Sequence, residues 1–125
     1  MSFSNQKFYL PQYKNFYKNI GNVKCHYFNN ALIFFNKNGF NHLIRTGNSQ
    51  RSIFDQRRRL RLIKYCPEIL MGRYISVKSR IILKGSKTFY YWSFKAHVDD
   101  IYMKLIVRQV DKGPKQFFSI FPIKH

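Results

Sequence analysis

Strict period-two alternation near the C-terminal end constrains this chain more than any other feature. Over residues 88–98, Tyr90, Trp92, Phe94, Ala96 and Val98 fall on one side of an extended strand, with Phe89, Tyr91, Ser93, Lys95 and His97 on the other. Asp99-Asp100 then reads as a two-residue turn. Beyond it, Ile101, Met103, Leu105 and Val107 continue the apolar side, with Lys104, Ile106 and Arg108 opposite. Asp111-Lys112-Gly113-Pro114 reads as a second turn, and the strand over 115–121 is expected to put Phe118 and Ile120 inward and Phe117 and Ser119 outward. A one-residue slip would invert every face, so the register can be tested. Closing the first hairpin at Val98/Ile101 pairs Trp92 with Val107 and Tyr91 with Arg108. Closing the second at Val110/Lys115 pairs Val107 with Phe118 and Arg108 with Phe117, and both hairpins agree on the buried face. Residues 74–77 and 81–84 are shorter strand candidates before a Gly85-Ser86-Lys87 turn. The expectation is an antiparallel sheet of about four strands.

Upstream the period changes. Over residues 52–72, Ile53, Leu60 and Ile63 share a helical face, and Arg57, Arg61 and Lys64 form a basic stripe beside it. Ser52 suits an N-cap, with Asp55 at the position a capping box gives to Glu or Gln. Pro67 ends this helix or opens another turn, and Gly72 is a fitting stop. Residues 30–35 read as a short strand or a helix start, and Asn36-Lys37-Asn38-Gly39 as a turn. Residues 1–30 are aromatic and Asn-rich, with Pro11 and Gly21 as breakers, and fit a packed arm or short helices. No repeat or low-complexity linker interrupts the chain. The layout is therefore α+β in a single domain over 1–125, an N-terminal arm (1–38) preceding a core (39–122), with helices covering the apolar face of the sheet.

The 125 residues, 45% apolar and 18% aromatic, can bury a core without metal or disulfide staples, and this composition excludes disorder as the main state. Cys25 and Cys66 lack metal-ligand spacing and read as reduced, buried thiols. No apolar run approaches the roughly 18 residues that cross a bilayer. The N-terminus lacks a charged segment followed by an apolar one, so a cytoplasmic location without a membrane partner is expected. Lys and Arg number 23 against five acids, a formal charge of +18. A domain so basic attracts polyanions, of which nucleic acid is the usual one. An AT-rich genome would enrich Lys, Asn, Phe, Tyr and Ile together, yet would not make acids so scarce.

On the outer face the expected pairing builds a row Tyr91–Arg108–Phe117, a guanidinium between two aromatics. Beside it runs a row Ser93–Ile106–Ser119, with Lys95 next to Lys104. Like charges directly opposite are destabilising, so that lysine pair suits a surface that receives an anion. Aromatics with embedded cations suit unpaired RNA, whose bases stack at about 1–3 kcal/mol each. The alternative is that Tyr91 and Phe117 pack beneath the N-terminal arm while Arg108 snorkels past them. Further upstream, His42 and Arg45 precede a loop containing Gly47 and Arg51. A histidine near arginines can exchange protons with a bound polyanion, although a lone histidine also fits a structural role. Metal-free RNA cleavage needs a base for the 2′-OH, cations for the charge on phosphorus and an acid for the leaving oxygen. Nucleotide-binding, GxSxG and HExxH motifs are absent, and five scattered acids make a poor magnesium site.

His42-Leu43-Ile44-Arg45, a small loop with Arg51, DQRRRLRLIKYCPEIL (55–70), YYWSF (90–94), KLIVRQV (104–110) and KQFFSI (115–120), in that order, resemble the phage-associated barnase/EndoU/colicin/RelE-like nucleases, or PBECR toxins. The resemblance spans about residues 39–121. It implies a helix-then-four-strand antiparallel fold of barnase/RelE type and a metal-independent endoribonuclease without cofactor, leaving a 2′,3′-cyclic phosphate. It also implies a toxin or effector acting on tRNA, mRNA or the ribosome, countered by an acidic antitoxin or inhibitor. His42 and Arg45 match the family's leading His-x-x-Lys/Arg; Trp92-Ser93, Arg108-Gln109 and Ser119 fall in its strand motifs. Some members of the wider fold carry a glutamate base on the sheet, and this sheet has none, which leaves His42, His97 or a non-carboxylate group such as Tyr91. The candidate catalytic residues are His42, Arg45, Tyr91, Arg108 and Ser119. Candidate RNA contacts are Arg51, Arg57, Arg61, Lys64, Ser93, Lys95, Lys104, Lys115 and Phe117. The same surface would also serve a non-catalytic RNA-binding or ribosome-associated protein.

Overall fold

The computed structural model describes residues 6–124, with side chains from residue 10 onward. Helix α1 (Gln6–Ile20) ends at Gly21, whose φ of +68° turns the chain into strand β1 (Asn22–Cys25). Asn29 and Asn30, both left-handed, reverse it into β2 (Ala31–Phe34), antiparallel to β1. Helix α2 (Lys37–Ile44) follows at once. The turn expected at Asn36-Lys37-Asn38-Gly39 is instead a helix start, because the Asn36 side-chain oxygen accepts the Gly39 N–H at 3.1 Å and so caps α2. A two-residue hairpin, β3 (Arg45–Thr46) and β4 (Ser49–Gln50), leads to α3 (Ile53–Leu60), capped by the Ser52 hydroxyl, which accepts the Asp55 N–H. A 3₁₀ turn (Ile63–Tyr65) and α4 (Cys66–Leu70) complete the helical region. Of the expected apolar face, Leu60 and Ile63 are buried while Ile53 is exposed. Ile53 lies two turns ahead of Leu60, beyond the edge of the core. Buried Gln56 takes its place, with its amide donating to the Arg51 carbonyl at 2.7 Å.

The rest of the chain is sheet: β5 (Ser76–Lys84), β6 (Lys87–Val98), β7 (Ile101–Val110) and β8 (Gln116–Pro122). The fold is α+β, and among the described residues its main sheet has six strands in the order β1-β2-β8-β7-β6-β5. It is mixed, since β2 runs parallel to β8 through Phe34 and Gln116. The expectation of about four antiparallel strands therefore left β1 and β2 out of the sheet; β1 was unread, whereas residues 30–35, read as a short strand or a helix start, contain the strand β2. The two strand candidates at 74–77 and 81–84 are one strand, β5, exposed over nearly its whole length and so without a burial rhythm to reveal it.

The first hairpin has the expected register, with Trp92 facing Val107 and Tyr91 facing Arg108. Asp99 and Asp100, with φ of 51° and 63°, make the tight turn whose twist suits paired strands. The second hairpin agrees only as far as Ile106 and Ser119. There a bulge intervenes, so that Val107 faces Phe117 and Arg108 faces Gln116. The expected pairs Val107–Phe118 and Arg108–Phe117 are thus corrected, and with them the faces of two side chains. A bulge inserts one extra residue and re-aims the side chains next to it. Phe117 is turned into the core at 1% exposure, stacked on Phe35 with centroids 4.8 Å apart, and Phe118 is left on the outer face.

Phe94, Met103, Leu105, Val107 and Ile120 from the sheet form one core with Leu43, Ile63, Ile69 and Leu70. Cys25 and Cys66 lie within it as free thiols. Helix α2 is held tightly on β8. A Cβ at Gly39 would stand 2.5 Å from the Phe117 carbonyl oxygen and 2.5 Å from the Tyr17 hydroxyl, which itself donates to the Asn36 carbonyl. Only glycine permits that approach, and it fixes the position of His42 three residues further on. Among the described residues, no helix is long and apolar enough to cross a membrane.

Candidate functional site

The outer faces of the four C-terminal strands form the floor of a cleft of about 560 Å³, contributed by Lys78 and Arg80 on β5, Tyr91 and Ser93 on β6, Lys104 on β7, and Phe118, Ser119 and Phe121 on β8. Its wall comes from His42 on α2, Arg51, and Arg59 on α3. Alternation puts the strand residues there. In α2, buried Phe40 and Leu43 anchor one side, and His42 rests on the half-buried ring that the bulge supplies. The imidazole and the Phe118 ring lie 4.1 Å apart. Over the same ring stands the Arg108 guanidinium, 4.6 Å from its centroid, and Tyr91 meets it edge-on at 5.6 Å. Phe118 thus gathers three of the expected catalytic residues around one side chain.

Beyond the His42–Phe118 stack lies a recess of about 210 Å³, lined by Asn38, Asn41, Arg45, Gly47 and Arg108. Arg45 is on that side, with its guanidinium donating to the Asn48 carbonyl at 3.1 Å. Among the described residues, the buried Arg108 Nε has no hydrogen-bond partner.

The electrostatics centre on Asp55, which pairs with Arg58 at 2.9 Å, Arg51 at 3.2 Å and Arg59 at 3.3 Å. Partial burial pushes its carboxyl up, but the three guanidiniums outweigh burial and hold it below its ordinary range. The Arg51 and Arg59 side chains are only 12% and 14% exposed, so their excess charge is weakly screened. Arg51 also donates to the His42 carbonyl at 3.0 Å, and Arg59 to the Ser119 hydroxyl at 2.9 Å. Ser119 is therefore a buried anchor for Arg59. Burial first, then repulsion from Arg51, Arg59 and Arg108, lowers the His42 imidazole to about 4. At neutral pH it is an uncharged base surrounded by cations.

His42, Tyr91, Arg108, Ser119, Arg51, Ser93 and Lys104 are thus brought to the cleft or its dividing wall. Other expected contacts lie elsewhere. Arg61 and Lys64 line a separate, largely apolar cleft of about 800 Å³ beside α1, and Arg57 lines neither cleft. Lys115 stands over Phe28 and Trp92, on the opposite side of the sheet from the cleft. Lys95 faces Lys104 across the β6–β7 pair, with its ammonium 6.0 Å from the Tyr102 ring. Phe117 is in the core.

Sequence reasoning missed Lys78, Arg80, Arg59, Phe118 and Phe121. The first two share a strand face at i, i+2 spacing, a signal hidden because they fall between the strand candidates at 74–77 and 81–84. Arg59 belongs to an arginine run whose buried member only the sheet position selects.

No family model matches the chain, and neither does any curated protein or solved structure.

Such an arrangement can hold a phosphodiester among guanidiniums, stack a base on a half-buried ring and accept a proton on a neutral imidazole.

Proposed function

We propose that the protein is a metal-independent endoribonuclease acting on unpaired RNA. The observation that carries this reading is the placement of the His42 imidazole, 4.1 Å from the Phe118 ring, on the wall of a cleft whose other polar groups are mostly cations. His42 takes the proton of a ribose 2′-OH, and the 2′ oxygen attacks the adjacent phosphorus. The P–O5′ bond breaks, leaving a 2′,3′-cyclic phosphate. Arg59 stabilises the extra charge on phosphorus, with Arg108 adding positive charge from across the His42–Phe118 stack, and the leaving 5′ oxygen takes its proton from the Tyr91 hydroxyl, which His42 and solvent restore. Arg51, Lys78 and Lys104 hold the flanking backbone, while Phe121 offers a stacking surface.

The resemblance to the phage-associated barnase/RelE-like nucleases supports this chemistry. On that reading, β5–β8 with the preceding helices are the nuclease core, and β1 and β2 extend it. A cytoplasmic toxin or effector, countered by an acidic inhibitor, is the corresponding role.

The test is incubation of single-stranded RNA with the protein in EDTA, followed by mapping of product ends. Cutting that leaves 2′,3′-cyclic or 3′-phosphate ends, abolished by His42→Ala with affinity kept within a few-fold, supports the proposal. RNA that is bound but stays intact at high protein concentration overturns it, in favour of a non-catalytic RNA-binding protein.

A further inference from the structure

The sheet has two edges, and they differ. The β1 edge is four residues long, whereas β5 spans nine and, among the described residues, is paired on one side only, with an uninterrupted register and no proline. Long edges of this kind are templates for a further strand, and the cations on β5 blunt this one against any strand that brings no acids to meet them. Its side chains also sort by face. Lys78, Arg80 and Lys84 share the cleft face with Ile82; Ile81 and Leu83 share the other, 61% and 76% exposed. No acid lies on β5, β6, β7 or β8 to neutralise those cations.

We propose that β5 is the docking edge for an extended segment of a partner protein in which acidic and apolar side chains alternate. The segment adds as a further strand, its acids against Lys78 and Arg80 and its apolar residues against Ile81 and Leu83. A second copy of this chain is a poor occupant. Any same-face antiparallel register that pairs five or more residues of two β5 strands sets cation against cation, for example Lys78 against Lys84 or Arg80 against itself. Since Lys78 and Arg80 line the cleft, a docked segment also competes with a polyanion there. That consequence alone rests on the RNA reading; the docking does not.

The β5–β6 turn identifies the backbone groups involved. Gly85, at φ +62°, opens a two-residue turn, so Lys84 and Lys87 form a hydrogen-bonded pair and the ladder to β6 uses the even-numbered residues of β5. The Ile81 N–H consequently faces outward. Ile81→Pro removes it without breaking the ladder, and Leu83→Lys removes apolar contact while leaving the backbone intact; neither lies in the cleft.

The probe is a nine-residue peptide alternating Glu and Val, compared with a permuted peptide holding its Glu and Val in separate blocks, both without RNA. Binding of the alternating peptide should slow amide exchange along β5, with each variant weakening it about tenfold or more, and the permuted peptide binding at least that much more weakly. Equal affinity for the two peptides, unchanged affinity in Ile81→Pro, or self-association through β5 seen by sedimentation would overturn the proposal. Failure of RNA cleavage with peptide docking intact would instead overturn only the nuclease reading.

Discussion

His42 gives the protein a dependence on pH whose sign is set by its surroundings. An unfolded histidine titrates near 6.5, whereas the folded imidazole is held to about 4. Between those values the unfolded chain binds more protons, so stability falls as pH drops from about 6.5 to about 4 and levels off below. His42→Phe keeps a ring against Phe118 and removes the titration. Its urea midpoint should therefore fall less than that of the wild type between about pH 7 and about pH 4.5. Under the nuclease reading, the same proton sets the acid limb of kcat/KM in the free protein, which should lie near 4 rather than near 6.5. Gly39 is the second residue on which the site depends. Gly39→Ala forces a methyl group against the Phe117 carbonyl and the Tyr17 hydroxyl, and overpacking of this kind costs about 1–3 kcal/mol. Urea unfolding should show the loss. Because α2 is thereby pushed away from β8, NMR should show weakened contact between His42 and Phe118.

At the scale of elements, the bulge in β8 builds the site. It turns Phe117 into the core and leaves Phe118 outside, beneath His42, Arg108 and Tyr91. Truncating Phe118, which is not a core side chain, should leave the fold intact and admit water to the imidazole. An NMR titration of Phe118→Ala should therefore place His42 above its wild-type value, moved toward 6.5, with the fold reported unchanged by the β6–β7 amide shifts. The same bulge marks where the strand pattern stops being legible in the sequence. The β6–β7 hairpin was legible because its alternation was unbroken and its turn lay between apolar rows of known phase, and the Tyr91–Arg108 pair came with it. Past Ile106 the same logic failed, since Phe117-Phe118 offers two identical side chains and only contacts with Tyr17 and Phe35, distant in the sequence, select which one is buried. Lys78 and Arg80 went unread because an edge strand buries little and shows no period in hydrophobicity. Asn36 was legible as a chain reversal but not as a helix cap, because asparagine serves both roles through the same side-chain oxygen.

The whole molecule carries a charge of +18, and its consequences converge on the cleft. Self-repulsion of that size opposes compaction, and the sheet concentrates it where Lys95 faces Lys104 directly across two strands. A chain selected for stability alone would separate or oppose those charges; a chain that binds a polyanion benefits from keeping them. Lys95→Glu distinguishes these demands. Lys95 does not line the cleft, yet a glutamate there would face Lys104, which does, and draw its ammonium into an ion pair. Replacing like by unlike charge at this position should raise stability by roughly 0.2–1 kcal/mol, read as a higher urea midpoint at low salt and fading as salt screens the pair. The same substitution should weaken binding of single-stranded RNA. It should also make the plot of log affinity against log salt shallower by about 0.7 if one phosphate contact is lost. Stability and affinity moving in opposite directions would mark the lysine pair as part of a polyanion site. A gain in stability with affinity and salt slope unchanged would remove Lys104 from that site and confine RNA to the cleft residues around Phe118.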